Sequence, residues 1–366
     1  IIDYGTTIET FADGAMQVSE QTRSEALAYV DEIVATGGTN IQGALLEAAG
    51  MLQDDEYAEM VVFLTDGRPT IGVTDLEQIL ADVAAANVAT ARIFVFGVGH
   101  EVNTHLLDLL AQQNGGTSTY VKPGEDIELA VSSFYTKVSS PVLTELELEF
   151  VGGRAHDVYP TSLPDLFRGS QIVQLGRLEP GGEALVRLSG MIVGSPQAFE
   201  RPVSLEDGGR VEFLPRLWAT RKVGFLLDQI RLNGEDAELV DEIVSLSKRY
   251  GIITPYTSFL IVEDEPRSPI SEAPGLSEDS GADAVRAAED VADYAGASTT
   301  NQVRSEQVRY AGDKTFYLRD GYWQDSRYDD SLPTITLDFG SEAYFQLLRE
   351  QPGLGRYLAV DARVVV

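Results

Sequence analysis

The pattern of apolar and polar positions over residues 1–140 alternates between strand-like and helix-like segments. Short apolar runs predict strands at Thr6–Phe11, Met60–Leu64, Arg92–Val98 and Thr117–Val121. Apolar residues at helical spacing predict helices over Ser24–Val34, Ile41–Leu52, Leu76–Ala86, Thr104–Gln112 and Asp126–Val138. Strands that alternate with helices predict an α/β fold with a doubly wound, mostly parallel sheet.

Two of these segments carry a specific prediction about burial. The Met60–Leu64 run is apolar at every position, which is typical of a strand buried on both faces. In the first helix, Leu27, Val30 and Val34 lie on one stripe and predict a buried face there.

The pattern changes at Ser139-Ser140-Pro141. From Thr144 to Phe150 apolar residues alternate with glutamates, which is typical of a half-buried antiparallel strand. Further segments of this kind predict a small β-sandwich module, and they lie at Gln171–Leu175, Ala184–Met191 and Phe199–Leu205. A helical pair is predicted over Leu214–Ile230 and Asp236–Tyr250, followed by a strand-like run at Thr254–Val262. We therefore expect a β-sandwich plus a helical segment over residues 141–262.

The last hundred residues divide into two parts. Between Glu263 and Asp293 the chain has 10 acidic and 2 basic residues with three prolines, which predicts an acidic disordered linker over 263–300. A partner-binding tail is the alternative for this part. Residues 301–366 predict a small α+β segment, with strands at Lys314–Arg319, Gly321–Trp323 and Thr334–Phe339 and a helix at Ser341–Arg349.

The charge of the chain restricts its partners. The 366 residues include 27 basic and 58 acidic side chains, a net charge of -31. This excludes sequence-independent nucleic-acid binding, which needs a basic surface, and disfavours docking on anionic membranes. No run approaches the ~20 apolar residues of a membrane helix, so we expect no membrane insertion. The chain has no Cys, which excludes disulfides and thiol chemistry.

Two short motifs lie where open α/β sheets place ligands, beyond the carboxyl ends of strands. Gly37-Gly38-Thr39-Asn40 precedes a predicted helix, and Thr65-Asp66-Gly67 follows a predicted buried strand. Each motif also has a purely structural interpretation. Thr39 and Gln42 have capping-box spacing, so Thr39 would cap the helix, and Asp66-Gly67 would only turn the chain.

Taken together, the two motifs resemble the von Willebrand factor A family. The resemblance implies a metal-ion-dependent adhesion site for Mg²⁺ or Mn²⁺ on the top of the sheet, with Thr39 and Asp66 as metal ligands. Hydroxyl and carboxylate oxygens suit such hard cations, and a carboxylate from a partner protein can complete the shell. The family's Asp-x-Ser-x-Ser loop has no counterpart before Thr39. We therefore expect a chain that lacks the first strand and helix of the domain and that carries an incomplete site.

A second resemblance follows the first along the chain. The segments Leu217-Trp218-Ala219, Glu238–Ile243 and Leu246–Leu260, the last of which contains Thr-Pro-Tyr-Thr-Ser, are similar to the region after the A domain in inter-alpha-trypsin inhibitor heavy-chain-like proteins, above all bacterial ones. This resemblance implies an extracellular or cell-envelope location.

The motifs of several enzyme classes are missing from the sequence. It contains no Gly-x-Ser-x-Gly, P-loop or His-Glu-x-x-His motif, and we expect no enzyme. The leading hypothesis is an adhesion module that binds a protein ligand through the cation. The alternatives are a scaffold with a non-functional metal site and an enzyme or protease-regulating factor.

Overall fold

The computed structural model describes most of the chain. The described residues are 1–52, 59–88, 90–138, 140–179, 181–192, 194–205, 211, 213–257, 275–299, 308–329, 331 and 333–366. All structural statements below refer to these residues.

The first 140 residues form a parallel sheet with helices around it. The strands are β1 (Ile2–Tyr4), β2 (Ile8–Thr10), β3 (Met60–Thr65), β4 (Arg92–Val98) and β5 (Ser118–Val121). The helices are α1 (Glu20–Glu32), α2 (Ile41–Gly50), α3 (Leu76–Ala86), α4 (Thr104–Gln113) and α5 (Ile127–Val138). Strands β3, β4 and β5 pair in parallel in that order, and β1 and β2 form an antiparallel hairpin. The predicted α/β class is confirmed.

The core of this part lies between the sheet and helices α2, α3 and α4. Ile79 and Leu110 have no exposed surface, and Ile41 and Val95 are about as deeply buried. The central strand β4 is buried along most of its length, as its apolar sequence predicts. Burial of side chains of this size contributes roughly 1.5–3 kcal/mol each.

Strand β3 departs from its prediction. Phe63 is buried, but Val62 and Leu64 are 44% and 41% exposed. In the described sheet β3 is an edge strand, and no described element covers the side of Val62 and Leu64. The prediction that this strand is buried on both faces is therefore wrong for the described structure.

Helix α1 turns a different face inward than predicted. Leu27, Val30 and Val34 are all exposed, and Val34 lies beyond the end of the helix. The half-buried side is that of Ala26 and Tyr29, whose ring packs on Phe11. The apolar spacing predicted the helix correctly, but the face that packs is decided by the hairpin beside it.

Residues 141–257 form two small antiparallel sheets and two helices. The strands are β6 (Pro141–Val151), β7 (Ala155–Tyr159), β8 (Leu166–Phe167), β9 (Leu175–Leu178), β10 (Glu183–Ile192) and β11 (Ser195–Ser204). One sheet has the order β11-β10-β6-β8, and β7 pairs with β9. The helices are α6 (Leu214–Asn233) and α7 (Ala237–Tyr250). Residues 254–257 form a turn and not the predicted strand, and the rest of the predicted Thr254–Val262 strand lies outside the described residues.

The predicted disordered linker contains a packed helix. Helix α8 (Ala282–Ala295) lies against α6, and Val285 joins the core of the parallel-sheet part. Ala284, Ala288 and Val291 are also buried. The prediction of disorder is wrong for residues 275–299, because the acidic average hides small apolar residues at helical spacing. The other residues of the predicted linker lie outside the described ranges.

The C-terminal part contains a small mixed sheet and helices. Strands β12 (Val308–Ala311), β13 (Lys314–Arg319), β14 (Tyr322–Asp325) and β15 (Val364–Val365) pair in that order. Helices α9 (Glu342–Glu350) and α10 (Gly355–Leu358) lie between β14 and β15 along the chain. The predicted strand at Thr334–Phe339 does not form, and Ile335 is 88% exposed.

None of the described helices is long and apolar enough to cross a bilayer.

Candidate functional site

The loop before helix α2 is held in place from both sides. The backbone N–H of Gly38 donates to the Thr6 hydroxyl at 3.0 Å. On the other side the Thr39 carbonyl accepts from the N–H groups of Thr70 and Ile71 at 2.9 and 3.2 Å. The Thr39 N–H donates to the Thr70 hydroxyl at 2.8 Å. The position of Thr39 is therefore fixed mainly through its backbone.

The two glycines of this loop are needed for its close contacts. A Cβ at Gly38 would lie 2.4 Å from Cγ1 of Ile71. Gly37 has φ +83°, where an L side chain is strained, and a Cβ there would lie 2.5 Å from the Thr6 hydroxyl. The two glycines therefore allow the loop to pack closely, and this packing holds Thr39 against its neighbours.

The side chain that caps helix α2 is Asn40. Its Oδ1 accepts from the backbone N–H of Gly43 at 3.0 Å. The Thr39 hydroxyl forms no hydrogen bond with any described residue. The interpretation of Thr39 as the helix cap is therefore wrong, because the cap position belongs to the next residue.

The Thr39 hydroxyl lies instead against the turn that contains Asp66. A Cβ built on Gly67 would be 3.4 Å from Thr39 Oγ1, which is ordinary contact distance. Asp66 follows β3 directly, and its side chain is exposed with no hydrogen bond or ion pair to the described residues. The buried Thr65 braces the turn, since its hydroxyl donates to the Gly67 carbonyl at 3.2 Å. The structure thus brings the Thr39 hydroxyl to the turn that carries Asp66, beyond the carboxyl end of β3.

A tyrosine that sequence reasoning missed lies beside this turn. The Tyr4 ring stacks on Phe63, and its hydroxyl donates to the Leu64 carbonyl at 2.8 Å. Burial raises the pKa of Tyr4 to about 12, the Thr65 hydrogen bond opposes this, and the negative charge of Asp66 adds to it. Tyr4 is therefore a neutral phenol at neutral pH. No local sequence pattern around Tyr4 indicates that it contacts Phe63 and Leu64.

The positively charged side chain of Arg68 lies two residues after Asp66, but it pairs with a different carboxylate. Arg68 pairs with Asp279 at 3.4 Å, and both side chains are about half exposed. Asp279 is itself fixed, because its carbonyl accepts from the Thr104 N–H at 2.7 Å. This loop before α8 therefore reaches the same end of the sheet as the two motifs, which the sequence did not indicate.

The donor set fits a hard divalent cation in part. Thr39 contributes a neutral hydroxyl and Asp66 a carboxylate, both of which are oxygen donors that Mg²⁺ and Mn²⁺ accept. The described residues contain no group of three or more His, Asp or Glu side chains that could hold a metal ion. Two protein donors leave about four positions of an octahedral shell to water or to a partner.

The comparisons with known proteins agree with this fold. Residues 1–120 match the family model of the von Willebrand factor type A domain. The human inter-alpha-trypsin inhibitor heavy chain H4 is 27% identical over 298 residues, which are 75% of this chain and 32% of that protein. The human heavy chain H6 is 29% identical over 73% of this chain and 23% of its own length.

A solved structure is also similar. A von Willebrand factor type A protein from Catenulispora acidiphila aligns over 82% of this chain and 80% of its own, with 15% identity and a TM-score of 0.49.

The N-terminal third of the chain, residues 1–120, is therefore similar to a von Willebrand factor type A domain. The chain is also similar to inter-alpha-trypsin inhibitor heavy chains over about three quarters of its length, so that this similarity extends beyond residues 1–120. The chain spans about a third of the length of the curated relatives it matches, so their activities as whole proteins do not transfer to it.

Proposed function

We propose that this chain is a non-enzymatic protein-interaction module that binds its partner through a divalent cation held by Thr39 and Asp66. The observation that carries the proposal is the Thr39 hydroxyl, which lies against the Asp66 turn and makes no hydrogen bond within the described part of the chain. This hydroxyl is therefore available to a ligand, as is the exposed Asp66 carboxylate.

The chemistry of the two donors supports this proposal. One carboxylate and one neutral hydroxyl leave Mg²⁺ or Mn²⁺ with net positive charge and with exchangeable water ligands. A partner carboxylate can replace one of these waters. The cation would also offset the repulsion between an acidic partner and a chain of net charge -31.

The second candidate function is a scaffold that binds without a cation. It is favoured by the small donor set, since the described residues contain no group of three or more His, Asp or Glu side chains that could hold a metal ion. In that case the Asp66-Gly67 pair serves as a turn alone. An extracellular or cell-envelope location remains part of the proposal and rests on the similarity to the heavy chains.

Titration calorimetry with Mn²⁺ tests the proposal. The whole chain should bind Mn²⁺ saturably in 0.15 M salt, a concentration that screens weak attraction to the acidic surface. Asp66→Ala should remove this binding, and Thr39→Val should weaken it. Asp31→Asn, on the exposed side of α1, is the matched control and should leave it unchanged. Equal binding by the parent chain and Asp66→Ala would reject the cation site and leave the scaffold.

A further inference from the structure

A groove outside the parallel-sheet part of the chain combines aromatic side chains with several arginines. It lies between β9, the first turn of α6, the end of α7 and the C-terminal sheet, and its volume is about 460 Å³. Trp218 and Tyr250 form its apolar floor and are 6% and 8% exposed. We name it the arginine groove, after the four arginines that line it: Arg177, Arg249, Arg327 and Arg356.

The charge of the arginine groove is opposite to that of the chain. Its described lining has four arginines and a single carboxylate, that of Asp313. The chain as a whole has 58 acidic and 27 basic residues. A cationic site in so acidic a chain attracts anions to one place, while the rest of the surface repels them.

Two of the arginines contact aromatic rings and form no ion pair with described carboxylates. The guanidinium carbon of Arg177 lies 4.1 Å from the centre of the Trp218 ring. That of Arg249 lies 5.4 Å from the Tyr250 ring. A cation–π contact with a ring leaves the N–H donors of a guanidinium group available for a bidentate contact with an oxyanion.

The other two arginines share one carboxylate. Arg327 and Arg356 lie 3.2 and 3.9 Å from Asp313. The Asp313 carboxylate also accepts from the Tyr357 hydroxyl, and hydrogen bonds from Tyr357 and Arg327 hold the pKa of this carboxyl below its usual range despite its partial burial. Asp313 thus stays ionised and anchors one wall of the groove.

We propose that the arginine groove binds a small organic anion with an apolar body. The apolar body lies on the apolar part of the lining, which includes Leu175, Leu214 and Pro215. Its carboxylate, sulfonate or phosphate accepts hydrogen bonds from Arg177 and Arg249. The volume is in the range of small-molecule sites, roughly 300–1,000 Å³, and such sites combine apolar walls with a few placed polar groups. This site is independent of the metal proposal, because its lining lies outside residues 1–120.

Fluorescence titration tests this assignment with a matched pair of probes. The anionic probe is 8-anilinonaphthalene-1-sulfonate, and N-phenyl-1-naphthylamine has the same rings without the charge. In the whole chain the anionic probe should bind at least tenfold more tightly than the neutral one. Arg249→Gln and Arg177→Gln should each weaken the anionic probe about tenfold and leave the neutral probe unchanged. Arg154→Gln, an exposed arginine paired with Glu179, should change neither.

Competition separates a small ligand from an acidic protein segment. Indole-3-acetate, a small aryl carboxylate, should displace the anionic probe, whereas a tetraglutamate peptide at equal concentration should not. Displacement by the peptide alone would overturn the small-ligand assignment in favour of a protein segment. Unchanged binding of the anionic probe in an Arg177→Gln, Arg249→Gln double variant that remains folded would overturn the site.

Discussion

Thr39 and Asn40 are adjacent residues with different partners. The Asn40 side chain accepts the Gly43 N–H and so satisfies a free backbone donor at the start of α2. The Thr39 hydroxyl makes no such bond within the described residues, while the Thr39 backbone carries the loop contacts to residues 70 and 71. The two side chains should therefore contribute differently to stability.

Urea unfolding of two variants checks this difference. Asn40→Ala should destabilise the chain by about 1 kcal/mol, the usual cost of losing an N-cap. Thr39→Val keeps the shape of the side chain and should change the free energy of unfolding by less than about 0.5 kcal/mol, as for a surface substitution. If Thr39→Val costs as much as Asn40→Ala, the Thr39 hydroxyl has a structural role and is not held free for a metal ion.

Among the elements, helix α8 forms in a segment whose acidic composition predicted disorder. Its five buried residues are all Ala or Val, and they recur at helical spacing between acidic residues. Packing of these small side chains on α6 and on the parallel-sheet part orders the segment despite its charge.

Hydrogen exchange measures this order directly. The amides of Val285–Val291 should be protected, because they lie in a helix with one buried face. The amides of residues 334–338, which form no strand and expose Ile335, should exchange fast and serve as the internal reference. Fast exchange throughout α8 would restore the prediction of a disordered linker for this segment.

The elements show which features a sequence pattern can predict. Period-two and helical spacing predicted β6, β10, α3 and α4 to within a few residues, since in these elements the pattern comes from one buried face. The exposed stripe of α1 and the exposed side of β3 could not be predicted, because exposure depends on whether another element packs there. Thr334–Phe339 has a strand-like alternation but no neighbouring strand to pair with among the described residues.

The residues of the candidate site could be predicted only in part from the sequence. Thr39 and Asp66 were chosen from short motifs, and the structure brings the Thr39 hydroxyl to the Asp66 turn. Tyr4 and the Arg68–Asp279 pair reach this region through contacts between segments far apart in sequence, which no local pattern reports.

For the molecule as a whole, Arg231 connects α6 to the parallel-sheet part. Its guanidinium group is almost fully buried, donates to Asp108 on α4 and lies 3.1 Å from Asp228 on its own helix. Asp108 also accepts from the Tyr120 hydroxyl at 2.8 Å, which extends the network to β5. Removal of the arginine would leave two partly buried carboxylates without their counter-charge.

Arg231→Met should therefore destabilise the chain by about 3–5 kcal/mol, the usual effect of breaking a buried ion pair. Arg286→Met removes an exposed arginine that pairs with Asp283 on α8, and it should cost less than about 1 kcal/mol. Both values come from urea unfolding curves of the whole chain. Equal, small effects would show that α6 is held to the domain by apolar packing alone.

The most direct test of the cation site is nuclear magnetic resonance of the ¹⁵N-labelled chain with substoichiometric Mn²⁺. A bound paramagnetic ion broadens the amide signals closest to it, so this measurement separates one site from diffuse binding to 58 acidic residues. We expect the signals of residues 37–40 and 66–68 to broaden first, excess Mg²⁺ to restore them, and Asp66→Asn to abolish the effect. Broadening spread over the acidic surface, with these two loops unaffected, would contradict the cation site.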